Sequence, residues 1–116
     1  MASPLSESEL VELEATLLPA LERHHLRLLA HSLRSLQVIA GRREGDLPPL
    51  AAIEAWVQQQ PAIAADPDFA TAFANQLHTA GDQLMGIAER RGCSALALDL
   101  HDLTIWAQAQ ADARLR

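Results

Sequence analysis

The sequence contains no lysine and no tyrosine, a single cysteine, and only two residues each of tryptophan and phenylalanine. With three valines and five isoleucines, it is also poor in the β-branched side chains that help to fill β-sandwiches and barrels. The one cysteine, Cys93, excludes an intrachain disulfide and a metal cage built from cysteines. Apolar runs stay far below the roughly 20 residues that span a bilayer, so we expect no membrane-spanning helix.

Alanine and leucine dominate the chain, with 22 of the former and 20 of the latter among 116 residues. Both favour helices, so the composition predicts an all-α fold, and the length predicts a single helical domain over residues 1–116. The formal net charge of −6 disfavours attraction to phosphates and anionic lipids, so we expect no nucleic-acid partner and no membrane partner. The acidic start of the chain is unlike a secretory signal, so we expect a soluble cytoplasmic protein.

Start and stop signals divide the chain into helices. Ser6 and Glu9 have the spacing of a capping box, and Pro19 should kink or break the first long helix because it removes a backbone donor. Asp66 before a proline predicts another helix start, and Gly92 is a typical stop. The predicted helices cover residues 7–18, 19–40, 49–60, 67–91 and 100–115. Their short connections predict a compact bundle of four to five mostly antiparallel helices.

Leucines at helical spacing predict which faces pack together. One stripe holds Leu10, Leu13, Leu17 and Leu21, and a second holds Leu26, Leu29, Leu33, Leu36 and Ala40. Gly81 and Gly86 interrupt a predicted helix, and close approach of a neighbouring backbone would compensate for their poor helix propensity. Leu28, Ile39 and Ile105 lie outside the predicted core stripes, and these surplus apolar positions favour an interaction surface.

Glu22 and His25 have the Glu-x-x-His spacing that is found in dinuclear metal bundles. Such a centre needs a second half, and the nearest analogue has Asn75 three residues before His78, where a carboxylate is required. We therefore expect no metal and no cofactor, and interpret Glu22 and His25 as a buried polar pair. A small-ligand or metal-binding bundle that uses these residues is the alternative function.

Arg23, Arg27, His31 and Arg34 form a basic stripe along the second helix. This stripe is a candidate face for binding an anion or an acidic partner. The alternative is a solvated surface whose charges are paired with the acidic first helix.

A helix-turn-helix regulator is a third hypothesis, because Ala88, Gly92 and Leu98 fit the small residue, turn glycine and apolar position of that motif. The segment that would contact bases, residues 94–102, contains two aspartates and no Arg, Lys, Asn or Gln. DNA binding is therefore disfavoured.

No catalytic constellation is evident, because the sequence lacks a P-loop, a dinucleotide-binding glycine motif and a zinc-type histidine pair. Cys93 follows two arginines, but no histidine is tied to it by local spacing, so a structural thiol is the simpler interpretation. We therefore expect a small non-enzymatic module without catalytic residues. Its partner would be another protein or a second copy of itself, as in a homodimer.

Overall fold

The computed structural model describes residues 4–116, and within this range the chain forms helices and no strand. The all-α prediction is confirmed. The α-helices are α1 (Glu7–Glu14), α2 (Ala20–Ala40), α3 (Leu50–Gln58), α4 (Pro61–Ala64), α5 (Pro67–Arg91) and α6 (Leu100–Leu115). A short 3-10 helix over Ala95–Ala97 lies between α5 and α6.

Side-chain caps fix the helix starts that the sequence predicts. The Ser6 hydroxyl accepts from the Glu9 backbone N–H at 3.1 Å, and the Glu9 carboxylate accepts from the Ser6 N–H at 3.0 Å. Asp99 and Asp102 form the same reciprocal arrangement at the start of α6. The Asp66 side chain caps α5 by accepting a backbone N–H of its first turn. These caps satisfy donors that a helix start otherwise leaves without partners.

The first predicted helix ends earlier than expected. α1 ends at Glu14, and the Thr16 hydroxyl donates to the Leu13 carbonyl at 2.8 Å, which satisfies an acceptor near the helix end. Residues 16–19 are not helical. At Leu18 the ring of Pro19 is a cause, because it disfavours helical backbone in the residue before it. Pro19 therefore marks a complete break between α1 and α2 rather than a kink.

Pro61 begins a helix as well as following one. The pattern predicts a helix that reaches residue 60, whereas α3 ends at Gln58 and Pro61 takes the first position of α4. A proline is tolerated there because the first N–H of a helix has no partner within the helix. Ile63 of this short helix is buried in the core. The sequence prediction missed this single turn.

One apolar cluster receives residues from all of the helices that the structure describes. The second predicted stripe is confirmed at its four leucines, which are each at most 2% exposed: Leu26, Leu29, Leu33 and Leu36. Ala40, the last member of that stripe, is half-buried. The first predicted stripe is wrong beyond Leu13, since Leu17 and Leu21 are exposed. α1 ends before these positions, so helical spacing no longer keeps them on one face. Leu18 is buried instead.

Hydrogen bonds between loops establish the helix directions. The Gly45 N–H, in the loop after α2, donates to the Ser94 hydroxyl after α5 at 2.8 Å, so α2 and α5 end at the same end of the bundle. α6 runs back along α2. Gln37 near the end of α2 bonds the Leu96 carbonyl just before α6, and Arg114 near the end of α6 bonds the start of α2. α2 and α5 thus run parallel to each other, and α6 runs antiparallel to both.

No helix in the described part of the chain is both long and apolar enough to cross a membrane.

Candidate functional site

The basic stripe predicted on α2 contains one arginine that is used inside the structure. Arg34 is only 8% exposed, and its Nε and Nη2 atoms donate to Glu9 Oε2 at 3.0 and 2.7 Å. Its Nη1 atom donates to Gln37 Oε1 at 2.8 Å. Burial alone would raise the pKa of Glu9, but hydrogen bonds from Ser6 and Arg34 outweigh it and hold the pKa below its usual value. Arg34 therefore holds α1 against α2 and is not part of a free binding face.

The other members of the stripe are more accessible. Arg27 pairs with Glu14 of α1 at 3.1 Å, and both side chains are about half exposed. Arg23 is half-buried and has no ion pair within residues 4–116. His31 is half-buried, and this burial lowers its pKa. The structure thus keeps Arg23, Arg27 and His31 at the surface, with one of them paired to the acidic first helix.

Glu22, at the start of α2, is paired with a different residue from the predicted His25. Glu22 is 4% exposed, but its carboxylate accepts from Arg114 Nε at 2.5 Å and from Arg114 Nη2 at 3.0 Å. These bonds hold the pKa of Glu22 below its usual value. His25 is exposed and places its ring 6.0 Å from that of Trp106 in an edge-on arrangement. The prediction that His25 is buried with Glu22 is wrong, because His25 is exposed and Arg114, in the last turn of α6, donates to the carboxylate instead.

Among residues 4–116, no group of three or more His, Cys, Asp or Glu side chains is arranged to hold a metal ion.

The segment that would be the recognition helix of a helix-turn-helix, residues 94–102, is not one continuous helix. The 3-10 turn at Ala95–Ala97 precedes α6, which begins only at Leu100, and Asp102 accepts from Arg91 Nε at 2.9 Å.

Two clefts flank the outer side of α2, and they are the features that sequence reasoning did not locate. The first, which we name the α2–α5 cleft, has a volume of about 370 Å³, and none of its lining residues carries a formal charge. Its polar lining side chains are His25, Ser32, Asn75, Gln76, Thr79 and Gln83. The amide and hydroxyl spacing along α5 follows helical periodicity, which is the one signal that could have predicted this wall.

The second cleft lies where α1 and the segment before it meet α2, and we name it the α1–α2 cleft. Its volume is about 360 Å³, and its lining residues are Leu5, Leu10, His24, Arg27, Leu28 and His31. Three leucines and three cationic or titratable basic side chains line it. No acidic residue lines this cleft, although the chain as a whole has a net charge of −6.

Leu28 lines both clefts and is 40% exposed. It forms an apolar ridge on α2 between an uncharged wall and a basic wall. The sequence predicts Leu28 as a surplus apolar residue beside the core stripe, and in the structure it is exposed. Apolar area bordered by hydrogen-bonding side chains is typical of surfaces that bind polypeptides. Leu28 and the two clefts therefore form the candidate site.

Comparison with protein families finds a match that covers nearly the whole chain. The model described as NDH complex assembly factor CRR9 matches residues 5–114. Searches of curated proteins and of solved structures find no match.

Proposed function

The chain belongs to the family of NDH complex assembly factor CRR9, and we propose that it binds a protein of that assembly through the outer face of α2. In this proposal the chain contributes binding and no catalysis. Assembly requires protein partners, which agrees with the interaction module that the sequence predicts. The binding face consists of Leu28 and the α1–α2 and α2–α5 clefts.

The exposure of Leu28 between two clefts is the observation that carries the proposal. Leu28 is 40% exposed. Binding of a partner that removes this apolar side chain from water lowers the free energy of the complex. Clefts on both sides provide space for the side chains of a bound segment. Central positions that fill pockets and are shielded from water are also where binding energy concentrates in protein interfaces.

Ile105 on α6 provides a matched comparison. It is also 40% exposed on a helix, but it lines neither of the two clefts. If exposure alone defined the interaction surface, Leu28 and Ile105 would be equivalent. They differ because Leu28 lines both clefts and Ile105 lines neither.

The role is tested by deleting the gene in the organism that encodes the chain and restoring it as wild type, Leu28→Glu or Ile105→Glu. The measured quantity is the amount of assembled NDH complex on native gels. We expect the deletion to lower this amount, and wild type and Ile105→Glu to restore it. Leu28→Glu should fail, because a carboxylate on the ridge must be desolvated when the partner binds.

Circular dichroism of the purified variants serves as the folding control, since both substituted side chains are exposed and should leave the helical signal unchanged. An unchanged amount of NDH complex after deletion would contradict the role. Full restoration by Leu28→Glu would contradict the face.

A second copy of the chain is the competing occupant of the same face. Sedimentation of wild type and Leu28→Glu over a range of concentrations separates the two cases. A dimer that Leu28→Glu converts to a monomer would assign the face to self-association.

A further inference from the structure

We propose that the α1–α2 cleft binds an acidic amphipathic segment of the partner protein, with apolar side chains against the leucines and a carboxylate against Arg27. This inference deepens the proposed function and rests on it for the identity of the binding face. It names the chemistry of the partner, which neither the family match nor the exposure of Leu28 provides.

The lining of the cleft supports this choice of partner. The apolar half is formed by Leu5, Leu10 and Leu28, and the other half is formed by His24, Arg27 and His31. A segment that fits both halves needs apolar residues on one side and acidic residues at the edge. A basic segment would face Arg27, whose counter-ion Glu14 does not line the cleft, and would meet no acidic residue in the lining.

The surface of α2 already binds one segment of this chemistry within the same chain. α1 carries glutamates on its outer side, buries Leu13 to 1% exposure, and pairs Glu9 and Glu14 with arginines of α2. The helix is therefore an intramolecular example of an acidic amphipathic helix held on the basic stripe. The α1–α2 cleft is the adjacent part of that surface, which α1 leaves open.

Arg27 is able to exchange partners at little cost. Its pair with Glu14 joins two side chains that are about half exposed, and exposed pairs of this kind are weak. Arg34 differs because its pair with Glu9 is largely buried. Within the stripe, Arg27 is thus the arginine that lines the cleft and can turn to a carboxylate of a bound segment.

The α2–α5 cleft does not fit the same partner. Its lining contains His25 but no arginine, so a carboxylate seated there would lose hydration without gaining a permanent cation. The acidic part of the partner is therefore assigned to the α1–α2 side of the Leu28 ridge.

The probe is a fluorescently labelled amphipathic peptide in three versions that share their leucines and carry Glu, Gln or Lys on the polar face. Each version is titrated with the full chain, and anisotropy gives the Kd at low and high salt. We expect the Glu peptide to bind about threefold more tightly than the Gln peptide, the effect of one exposed charge pair with Arg27, and the Lys peptide to bind most weakly. High salt should reduce the difference.

Arg27→Glu and Arg43→Glu make the same change in net charge, but only Arg27 lines the cleft. We expect Arg27→Glu to weaken binding of the Glu peptide about tenfold and Arg43→Glu to have less than about a twofold effect. Equal losses in the two variants would attribute binding to net charge and overturn the proposal. Equal Kd values for the three peptides, or no binding of any, would also overturn it.

The peptide titrations test the acidic partner, and the cellular experiment tests the proposed function, so either can be contradicted without the other. Charge-independent or absent peptide binding, together with loss of the NDH complex in Leu28→Glu cells, overturns only the acidic partner. Tight binding of the Glu peptide together with an unaffected NDH complex overturns the proposed function and retains the chemistry of the cleft.

Discussion

Arg34 of α2 donates two hydrogen bonds to one carboxylate oxygen of Glu9, a residue 25 positions earlier in the chain. The same arginine bonds Gln37, and Gln37 in turn donates to the Leu96 carbonyl at 2.9 Å. These side chains connect α1, α2 and the 3-10 turn before α6. They form a polar connection in a protein that otherwise depends on leucine and alanine packing, and their stability effects can be tested individually.

Glu9→Gln should lower the free energy of unfolding by about 2 kcal/mol, because it removes the charge that compensates the nearly buried Arg34. The amide oxygen of glutamine can still accept the capping bond from Ser6. Urea unfolding measures the difference. Glu12→Gln on the same helix is the control, because Glu12 is exposed and should change stability by less than about 0.5 kcal/mol. Equal effects of the two variants would show that the Arg34 bond adds no stability.

Gln37→Leu should destabilise the fold by about 1–3 kcal/mol, because it deprives the Leu96 carbonyl and one Arg34 N–H of their partners. Gln37 is only 5% exposed, so water cannot replace these bonds without local opening. Gln58→Leu on the exposed side of α3 is the matched control. An unchanged urea midpoint in Gln37→Leu would show that the bonds of Gln37 to Arg34 and Leu96 do not stabilise the fold.

Local signals allowed much of the fold to be predicted from the sequence, because capping bonds join residues three positions apart. The bounds of α5 and α6 agree with the prediction for this reason. The partners of Glu9 and Glu22 could not be found in this way. Arg34 is 25 residues and Arg114 is 92 residues distant along the chain, and only the packing of helices brings the groups together.

The candidate site was predicted only in part for the same reason. Helical spacing identified Arg27 and His31 as one face and Leu28 as a surplus apolar residue. It did not identify the clefts, because each cleft forms between α2 and another element. Leu10 and Gln83 line these clefts from elements whose distance from α2 is not encoded in local spacing.

Gly86→Ala should stabilise the protein by about 1 kcal/mol, because alanine is the better helix former and a Cβ at this position meets no atom within 4 Å. Gly81→Ala should lose that gain, since its Cβ would lie 3.1 Å from Leu47 Cδ1. The expectation of a close neighbouring backbone is therefore wrong at Gly86, and at Gly81 the nearest neighbour is a side chain. Thermal unfolding of both variants tests this, and an equal rise in Tm would contradict the constraint from Leu47.

Acidification should destabilise the protein through three carboxylates, Glu9, Glu22 and Asp102, whose pKa values lie below their usual values. Each binds a proton less readily in the folded chain than in the unfolded chain. Their contribution is therefore complete above the unfolded pKa values, about 4.3 for Glu and 3.9 for Asp, and is lost as pH falls through the folded values. Urea midpoints measured below about pH 5 test this, and Glu22→Gln should flatten the profile. If the urea midpoint of Glu22→Gln fell with pH as steeply as that of wild type, the bonds from Arg114 to Glu22 would contribute no stability.

His31 should produce a separate loss of stability at higher pH than the carboxylates. Burial lowers its pKa in the folded chain, so the unfolded chain takes up the proton first. The stability from neutral His31 is complete above its unfolded pKa of about 6.5 and is lost as pH falls through that value toward the folded pKa. Urea midpoints of wild type and His31→Gln between about pH 7.5 and 5.5 measure this step. His31→Gln should remove it, whereas His24→Gln, which changes an exposed histidine of the same cleft, should leave it in place. A step that persists in His31→Gln would assign the pH dependence to another group.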